Sequence, residues 1–287
     1  MSLASINRVD ILRDRAALLA KARAFFAQRD VLEVDVPILS HAASVDVHID
    51  VVNVACCGKP AFLHTSPEYG MKRLLAEGIG DIYQISHVFR DWEKGERHTV
   101  EFTMAEWYRV GFSFQQMKDE TLEFMRLFLD HLPATYETYS YQEVFQKYAG
   151  SFPESLEERD AIFSFEVEPH LGKETLAVID RFPPEQAALA QIGEDGFAER
   201  FEVYYRGIEL ANGYHELLNS LELSERIHAA NQERKCLGKQ VLPVDKDFIQ
   251  AFEVGLPDCC GVAVGFDRLM MLRHHLEEIR DASCFFV

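Results

Sequence analysis

The sequence predicts an α+β fold with a mainly antiparallel sheet flanked by helices. Three observations predict it. Strand-like segments come as neighbours joined by short polar stretches, as 81–90 and 101–110 do. Segments with explicit helix-start signals lie outside these pairs. A regular β-α-β alternation, which a parallel sheet needs, is missing. The 287 residues are 48% hydrophobic and include 21 Phe and 10 Tyr, enough for a sizeable core. No internal repeat, low-complexity stretch or linker interrupts them, so one domain over residues 1–287 is expected.

Leu12, Ala16, Leu19, Ala22 and Phe26 recur at steps of three and four, which predicts a helix over 8–28. An extended piece follows over 32–38, with Pro37 at its end. Val45, Val47, Ile49 and Val51 alternate with Asp46, His48 and Asp50, as in a half-solvated strand. Ser66-Pro67 reads as the N-cap and first position of a helix closed near Gly78. Residues 81–90 and 101–110 form a long hairpin around the polar loop 91–100. Ser113 with Gln116, and Ser140 with Glu143, are capping boxes. Residues 153–196 are acidic, carry Pro169, Pro183 and Pro184, and read as an excursion from the main body. A strand over 198–208, a helix over 224–236, a strand over 258–264 and a helix over 266–279 complete the chain.

The formal net charge is −18, which opposes broad binding to phosphate backbones without excluding a local basic groove. The six cysteines form no C-x-x-C pair, and 56-57 and 259-260 are adjacent. That is poor spacing for a metal or a disulfide framework, and buried thiols in a reducing compartment fit better. No signal-peptide pattern opens the chain, and no apolar run approaches the about 18 residues of a membrane span. A cytoplasmic protein without a membrane partner is expected.

Three clusters carry chemistry. In the first, Arg90 ends a strand, His98 lies in the loop, and Phe102, Met104, Glu106 and Tyr108 share one face of the returning strand. A carboxylate among aromatic rings suits a cationic amine, and the flanking Arg and His suit phosphate oxygens. An ordinary amphipathic strand with a solvated loop has the same pattern. In the second, Glu209 and Glu216 bracket Asn212-Gly213. A bend or bulge at Gly213 brings both carboxylates to one site for Mg²⁺, which takes one or two carboxylates plus phosphates. Two solvated surface acids are the alternative. In the third, 261–265 (Gly-Val-Ala-Val-Gly) runs into a helix whose first turn carries Arg268. A cation there opposes the helix dipole unless it meets an anion.

In this order the clusters resemble the motifs of class II aminoacyl-tRNA synthetases. Motif 1 resembles the first helix plus the strand ending at Pro37, motif 2 the stretch from Phe89-Arg90 to Glu106, and motif 3 the stretch from Gly261 to Leu272. Thr65-Ser66-Pro67-Glu68-Tyr69, Met71-Lys72-Arg73-Leu74-Leu75, Glu101-Phe102-Thr103-Met104 and 209–217 resemble the lysine class. The run 198–205 resembles the elongation factor P (R)-β-lysine ligases, the GenX/PoxA family, which are paralogues of lysyl-tRNA synthetase without its anticodon-binding domain. The chain likewise begins at the motif 1 helix, so no such domain is expected.

The resemblance implies ATP and Mg²⁺ as cofactors and an aminoacyl-adenylate intermediate. It also implies lysine or (R)-β-lysine as substrate, elongation factor P as the acceptor rather than tRNA, and a homodimer through motif 1. Arg90, Glu209 and Arg268 would be catalytic. Arg90 would hold the α-phosphate, and His98 and Arg268 the outer phosphates. Phe102 and Arg268 would sandwich adenine, with Asp91, Trp92, Thr99, Leu210 and Gly265 completing the nucleotide contacts. Glu209 and Glu216 would hold the metal. Glu106 and Tyr108 would take the distal ammonium, with Ser66, Pro67, Glu68, Asn212, Glu216 and Ala263 lining the substrate pocket.

Two departures fall on the nucleotide loop. The family has Arg-Asn-Glu where this chain has Arg90-Asp91-Trp92, followed by Glu93. It has His-Asn-Pro-Glu where this chain has His98-Thr99-Val100-Glu101. Ala263 agrees with the ligases, where lysyl-tRNA synthetases have Gly. A truncated lysyl-tRNA synthetase, a non-catalytic synthetase-like regulator and a related amide-forming ligase such as asparagine synthetase are the rival readings.

Overall fold

The computed structural model describes residues 7–284. The ends of the domain expected over 1–287 lie outside the described residues. The elements in chain order begin with α1 (Arg8–Ala27), β1 (Leu32–Glu33), β2 (Leu39–Ser40), β3 (Asn53–Cys56), β4 (Lys59–Leu63), α2 (Glu68–Ala76), β5 (Ile82–Phe89) and β6 (Glu101–Val110). Then come α3 (Phe114–Arg126), β7 (Glu137–Ser140), α4 (Tyr141–Tyr148), α5 (Leu156–Ile162), β8 (Ala177–Asp180), β9 (Arg200–Tyr205) and β10 (Ile208–His215). The last are α6 (Ser220–Cys236), α7 (Lys246–Val254), β11 (Cys259–Gly265) and α8 (Phe266–Arg273). The chain divides into two compact units. The first holds the residues through Gly111, Leu218–Asp258 and those from Gly265; the second holds Phe112–Leu217 and Cys259–Val264.

In the first unit, β5 pairs antiparallel with β6 along its whole length, from Ile82 opposite Tyr108 to Phe89 opposite Glu101, and β1 pairs parallel with β5. A small sheet runs β2-β4-β3. The Asn7 side chain accepts from Val9 N at 3.1 Å and starts α1. Phe26 of α1 stacks on Tyr83 at 4.1 Å and meets Trp107 edge-on at 5.2 Å. Trp107 is fully buried, so removing it would cost about 3–5 kcal/mol. β6 is buried on both faces from Thr103 to Arg109, which is why its sequence does not alternate cleanly.

In the second unit the strands lie in the order β11-β10-β9-β8-β7, antiparallel except for β7 with β8. Tyr141, Phe145, Val167, Leu171, Ile179 and Phe182 join one core. Both capping boxes form, at Ser113 and Ser140. The α+β expectation, with a mostly antiparallel sheet and flanking helices, is borne out.

Five local expectations are corrected. Residues 45–51 form no strand. Asp46 Oδ1 accepts from His48 N and Ile49 N, and the buried Arg234 guanidinium takes the carbonyls of Asp46 and Ile49, so these backbone groups are satisfied without a ladder. Residues 153–196 are not an excursion, because they supply β8, whose four residues are all buried between β7 and β9. Proline-punctuated short turns gave no period to read. The last helix ends at Arg273, where His275 takes a left-handed φ of 51° and Leu276 N returns to Met271 O. α6 starts four residues early, capped by Asn219, and α7, capped by Asp245, was not foreseen. Pro67 rather than Ser66 is the N-cap of α2, although Ser66 Oγ still accepts from Glu68 N at 3.0 Å.

Candidate active site

In the first unit, two groups of predicted residues come together. At the open end of the β5–β6 hairpin, Arg90 N donates to Val100 O at 2.9 Å and Asp91 N to Asp50 O at 2.8 Å, which fixes where the loop leaves the strand. The Arg90 guanidinium carbon lies 5.1 Å from the centroid of the Phe102 ring. Its Nε is buried without a hydrogen-bond partner among the described residues, and the Glu93 carboxylate is 3.8 Å from Nη1. Arg268, in the first turn of α8, donates from Nη2 to His98 Nε2 at 2.8 Å. Burial first, then Arg268, Arg90 and Arg97, pushes the His98 imidazole down to about 4, so it is neutral at pH 7. Guanidinium groups thus converge here in a chain of net charge −18. An unfilled Arg90 donor beside an aromatic face fits a phosphate joined to a flat base.

Asp91 Oδ1 caps Trp92 N at 2.9 Å, and Thr99 Oγ1 donates to Glu101 O at 2.8 Å. Trp92 has a φ of 64° and is 82% exposed, pointing into solvent instead of packing in the loop. Gly265 is the N-cap of α8 and offers no side-chain cap.

The second group lies on α2 and β6. Glu106 is buried, and each carboxylate oxygen accepts a hydroxyl: Ser66 Oγ donates at 2.6 Å and Tyr108 OH at 2.7 Å. Burial, then the charge of Glu68, pushes Glu106 up to about 7 against these bonds. Lys72, fully buried, donates to Glu68 Oε1 at 2.6 Å and sits 5.9 Å from the Tyr108 ring centroid. Sequence reasoning gave Lys72 no role, although its i,i+4 spacing from Glu68 on a helix was visible. Pro67 is held between Ser66 and Glu68.

In the second unit, β9 and β10 turn at Arg206-Gly207, both at positive φ, the hand a tight hairpin needs. Glu209 pairs with Tyr204, Asn212 with Glu202 and Tyr214 with Arg200, and the register shifts between Glu209 and Ala211. The bulge therefore falls at Leu210, not at Gly213. It reverses the alternation and places Glu209 on the same face as Asn212, Tyr214 and Glu216. Gly213 serves a different purpose, since a Cβ there would lie 2.4 Å from the Phe201 ring. Ala263 of β11 pairs with Asn212 and stands on the same face.

On that face, Arg200 and Tyr204 both bond Glu202, which leaves Glu202 engaged within β9. Burial opposes the charge on Arg200, but Glu202, Tyr214 and Glu209 hold it firmly protonated. Asn212 Oδ1 is buried without a hydrogen-bond partner among the described residues. Glu216 is 1% exposed and Leu210 is also buried. Hard carboxylate oxygens from Glu209 and Glu216 suit Mg²⁺. Among the described residues, no group of three His, Cys, Asp or Glu could hold a metal ion, so such an ion would need phosphate oxygens as well.

Next in sequence to Phe102 and Arg268, Thr103 of β6 and Asp267 of α8 join Arg15 of α1 in a largely buried hydrogen-bonded ring. Sequence reasoning missed it. Asp267 in the first turn of a helix was the one available signal.

A guanidinium pair at a hairpin end, a carboxylate set on an antiparallel strand and a motif 3-like helix start define a class II synthetase-type catalytic domain. The comparisons agree: residues 1–286 match the family tRNA synthetases class II (D, K and N), and the chain belongs to it. Within it, the chain is 42% identical to the elongation factor P–(R)-β-lysine ligase of Haemophilus influenzae (strain ATCC 51907 / DSM 11121 / KW20 / Rd), over 95% of this chain and 94% of that one. It is 40% identical to the proteins of the same name from Salmonella dublin and Salmonella paratyphi B, over 96% of this chain and 94% of each relative. No helix among the described residues is long and apolar enough to cross a membrane.

Proposed function

We propose that the chain activates lysine or (R)-β-lysine with ATP and transfers it to a lysine side chain of elongation factor P. The observation that carries this reading is the nearly end-to-end match to relatives of that name, and the buried Glu106 carboxylate, bonded by Ser66, supports it. In the first step a substrate carboxylate oxygen attacks the α-phosphorus, and pyrophosphate leaves with the electrons of the broken P–O bond. In the second, an acceptor ε-amine attacks the acyl carbon, AMP leaves, and the new amide nitrogen loses its proton.

Arg90 holds the α-phosphate, and neutral His98 with Arg268 engages the outer phosphates. Adenine lies between Phe102 and Arg268, with Asp91, Trp92, Thr99, Leu210 and Gly265 around the nucleotide. Glu106 and Tyr108 take the distal ammonium; Ser66, Pro67, Glu68, Asn212, Glu216 and Ala263 line the substrate. Mg²⁺ held by Glu209 and Glu216 neutralises phosphate charge when bound. These residues position reactants and stabilise charge, and no covalent enzyme intermediate is needed.

The same reading makes residues 1–287 one catalytic domain of a cytoplasmic homodimer. Exposed Val9, Leu32 and Leu39, on and just after the motif 1 helix, support that interface. The net charge of −18 favours a protein acceptor over tRNA.

ATP–pyrophosphate exchange with α-lysine, (R)-β-lysine or no amino acid tests activation. Mass spectrometry of elongation factor P, run beside tRNA charging, tests the acceptor. Amino-acid-dependent exchange with modified protein is expected. Absence of exchange would make the chain a non-catalytic relative, and charged tRNA with unmodified protein would make it a tRNA synthetase.

A further inference from the structure

Arg15 and Asp267 form an ion pair with side chains only 12% and 5% exposed, and neither residue is itself assigned above to a ligand. Arg15 Nη1 donates to Asp267 Oδ1 at 2.5 Å, and Nη2 to Thr103 Oγ1 at 2.7 Å. Thr103 N donates to Asp267 Oδ2 at 2.9 Å and closes the ring. Thr103 directly follows Phe102 in β6, and Asp267 directly precedes Arg268 in α8. Phe102 and Arg268 are the two side chains proposed to sandwich adenine.

We infer that Arg15 and Asp267 are positioning residues that set the gap of this sandwich. The inference rests on the nucleotide reading given above. Successive strand residues face opposite ways, so Thr103 is gripped on the face that Phe102 leaves free. Successive helix residues are rotated by about 100°, so Asp267 can be held while Arg268 points elsewhere. The ring thus ties the β6 backbone to the first turn of α8 without occupying either ligand-facing side chain. The α8 end of the tie is held twice more. The Arg15 guanidinium lies 5.0 Å from the Phe266 ring centroid. Asp14, the neighbour of Arg15, accepts from Arg273 Nε at 2.6 Å and His274 Nε2 at 3.0 Å. Consecutive residues of α1 therefore contact both ends of α8, the helix that carries Arg268.

A pair that only stabilised the fold would affect all ligands alike when weakened. A pair that sets the sandwich affects ATP selectively, because the proposed lysine contacts at Ser66 and Glu106 hang on a different bond. Calorimetric titration of Mg·ATP and of lysine, each alone, distinguishes the two. Arg15→Ala is expected to weaken ATP about tenfold, with lysine binding changed by less than about twofold. Arg15→Lys, which reaches one acceptor but not both, recovers part of the loss. Thr103→Val, which keeps the N–H to Asp267, weakens ATP about threefold. Parallel loss of both ligands, or wild-type ATP affinity in folded Arg15→Ala, overturns the inference. If Arg15→Ala does not fold, unchanged ATP affinity in both Arg15→Lys and Thr103→Val overturns it. A wild-type protein that binds no ATP overturns the nucleotide reading and this inference together, whereas unchanged variants of an ATP-binding wild type overturn this inference alone.

Discussion

Glu209 and Glu216 share one face of the β9–β10 hairpin, although a spacing of seven would put them on opposite faces of a regular strand. The register shift after Glu209 is the cause. If both carboxylates serve the phosphates and the amine, Glu209→Gln and Glu216→Gln each lower pyrophosphate exchange by about 10²-fold. Glu209→Gln also raises the magnesium needed for half-maximal rate. Exchange assays across a magnesium series, on variants with unchanged circular dichroism, check this. Wild-type rates in both variants would exclude a metal or substrate role.

Glu106 carries the pH dependence. Its folded-state value is raised from 4.5 to about 7, chiefly by burial and then by Glu68. The free protein therefore holds this proton more tightly when folded. That contribution to stability is full below pH 4.5 and is lost as pH rises through 7. An ammonium partner needs the ionised form, so lysine binding should weaken as pH falls below 7 and release a proton near pH 6.5. Calorimetry in two buffers of different ionisation enthalpy reads that proton. Glu106→Gln should abolish the buffer difference; if it persists, another group is responsible.

Lys72 is fully buried and donates to Glu68 Oε1 at 2.6 Å. Lys72→Met strands the Glu68 carboxylate beside Glu106, and a broken buried pair costs roughly 3–5 kcal/mol. Urea unfolding measures this. The double variant Lys72→Met, Glu68→Gln should recover most of the loss, and a double variant no more stable than the single one would show that Lys72 acts through other contacts.

What the sequence made legible follows from periodicity and caps. α1, the β5–β6 hairpin and the boxes at Ser113 and Ser140 were readable because each is specified by neighbours in the chain. Residues 45–51 misled because the groups that hold them come from Arg234, far away in sequence. β8 was hidden because four buried residues between prolines carry no period. The Glu209 and Glu216 pairing was expected for the wrong reason: Gly213 is small to clear Phe201, while the bulge sits at Leu210, which no residue type marks. The Arg15–Asp267 ring joins three separate segments, of which only Asp267 in the first turn of a helix left a signal in the sequence.

Trp92 and Trp107 are the two tryptophans, one 82% exposed and the other fully buried. Trp92 follows Asp91 in the proposed nucleotide loop and is held at a φ of 64°, a conformation that costs an L-residue about 1–2 kcal/mol. Adding Mg·ATP should shift or quench the red-edge, solvent-exposed emission, and Trp92→Phe should remove that response. An undiminished response in Trp92→Phe would take Trp92 out of the nucleotide site.

If Ala263 lines the substrate as proposed, it bears on the choice between α- and β-lysine. It pairs directly with Asn212, whose buried Oδ1 has no hydrogen-bond partner among the described residues, on the face shared with Glu209 and Glu216. Moving the substrate amine by one carbon changes what must fit beside this methyl. Such differences in a shaped pocket are worth about 1–3 kcal/mol, or 10- to 200-fold. Ala263→Gly removes the methyl, so the kcat/KM ratio of (R)-β-lysine to α-lysine should fall by at least about tenfold. Exchange kinetics with both amino acids measure the ratio directly. Since Ala263 lies on a strand with no ion pair of its own to lose, the variant should fold, and an unchanged ratio would assign the preference to other residues around Asn212.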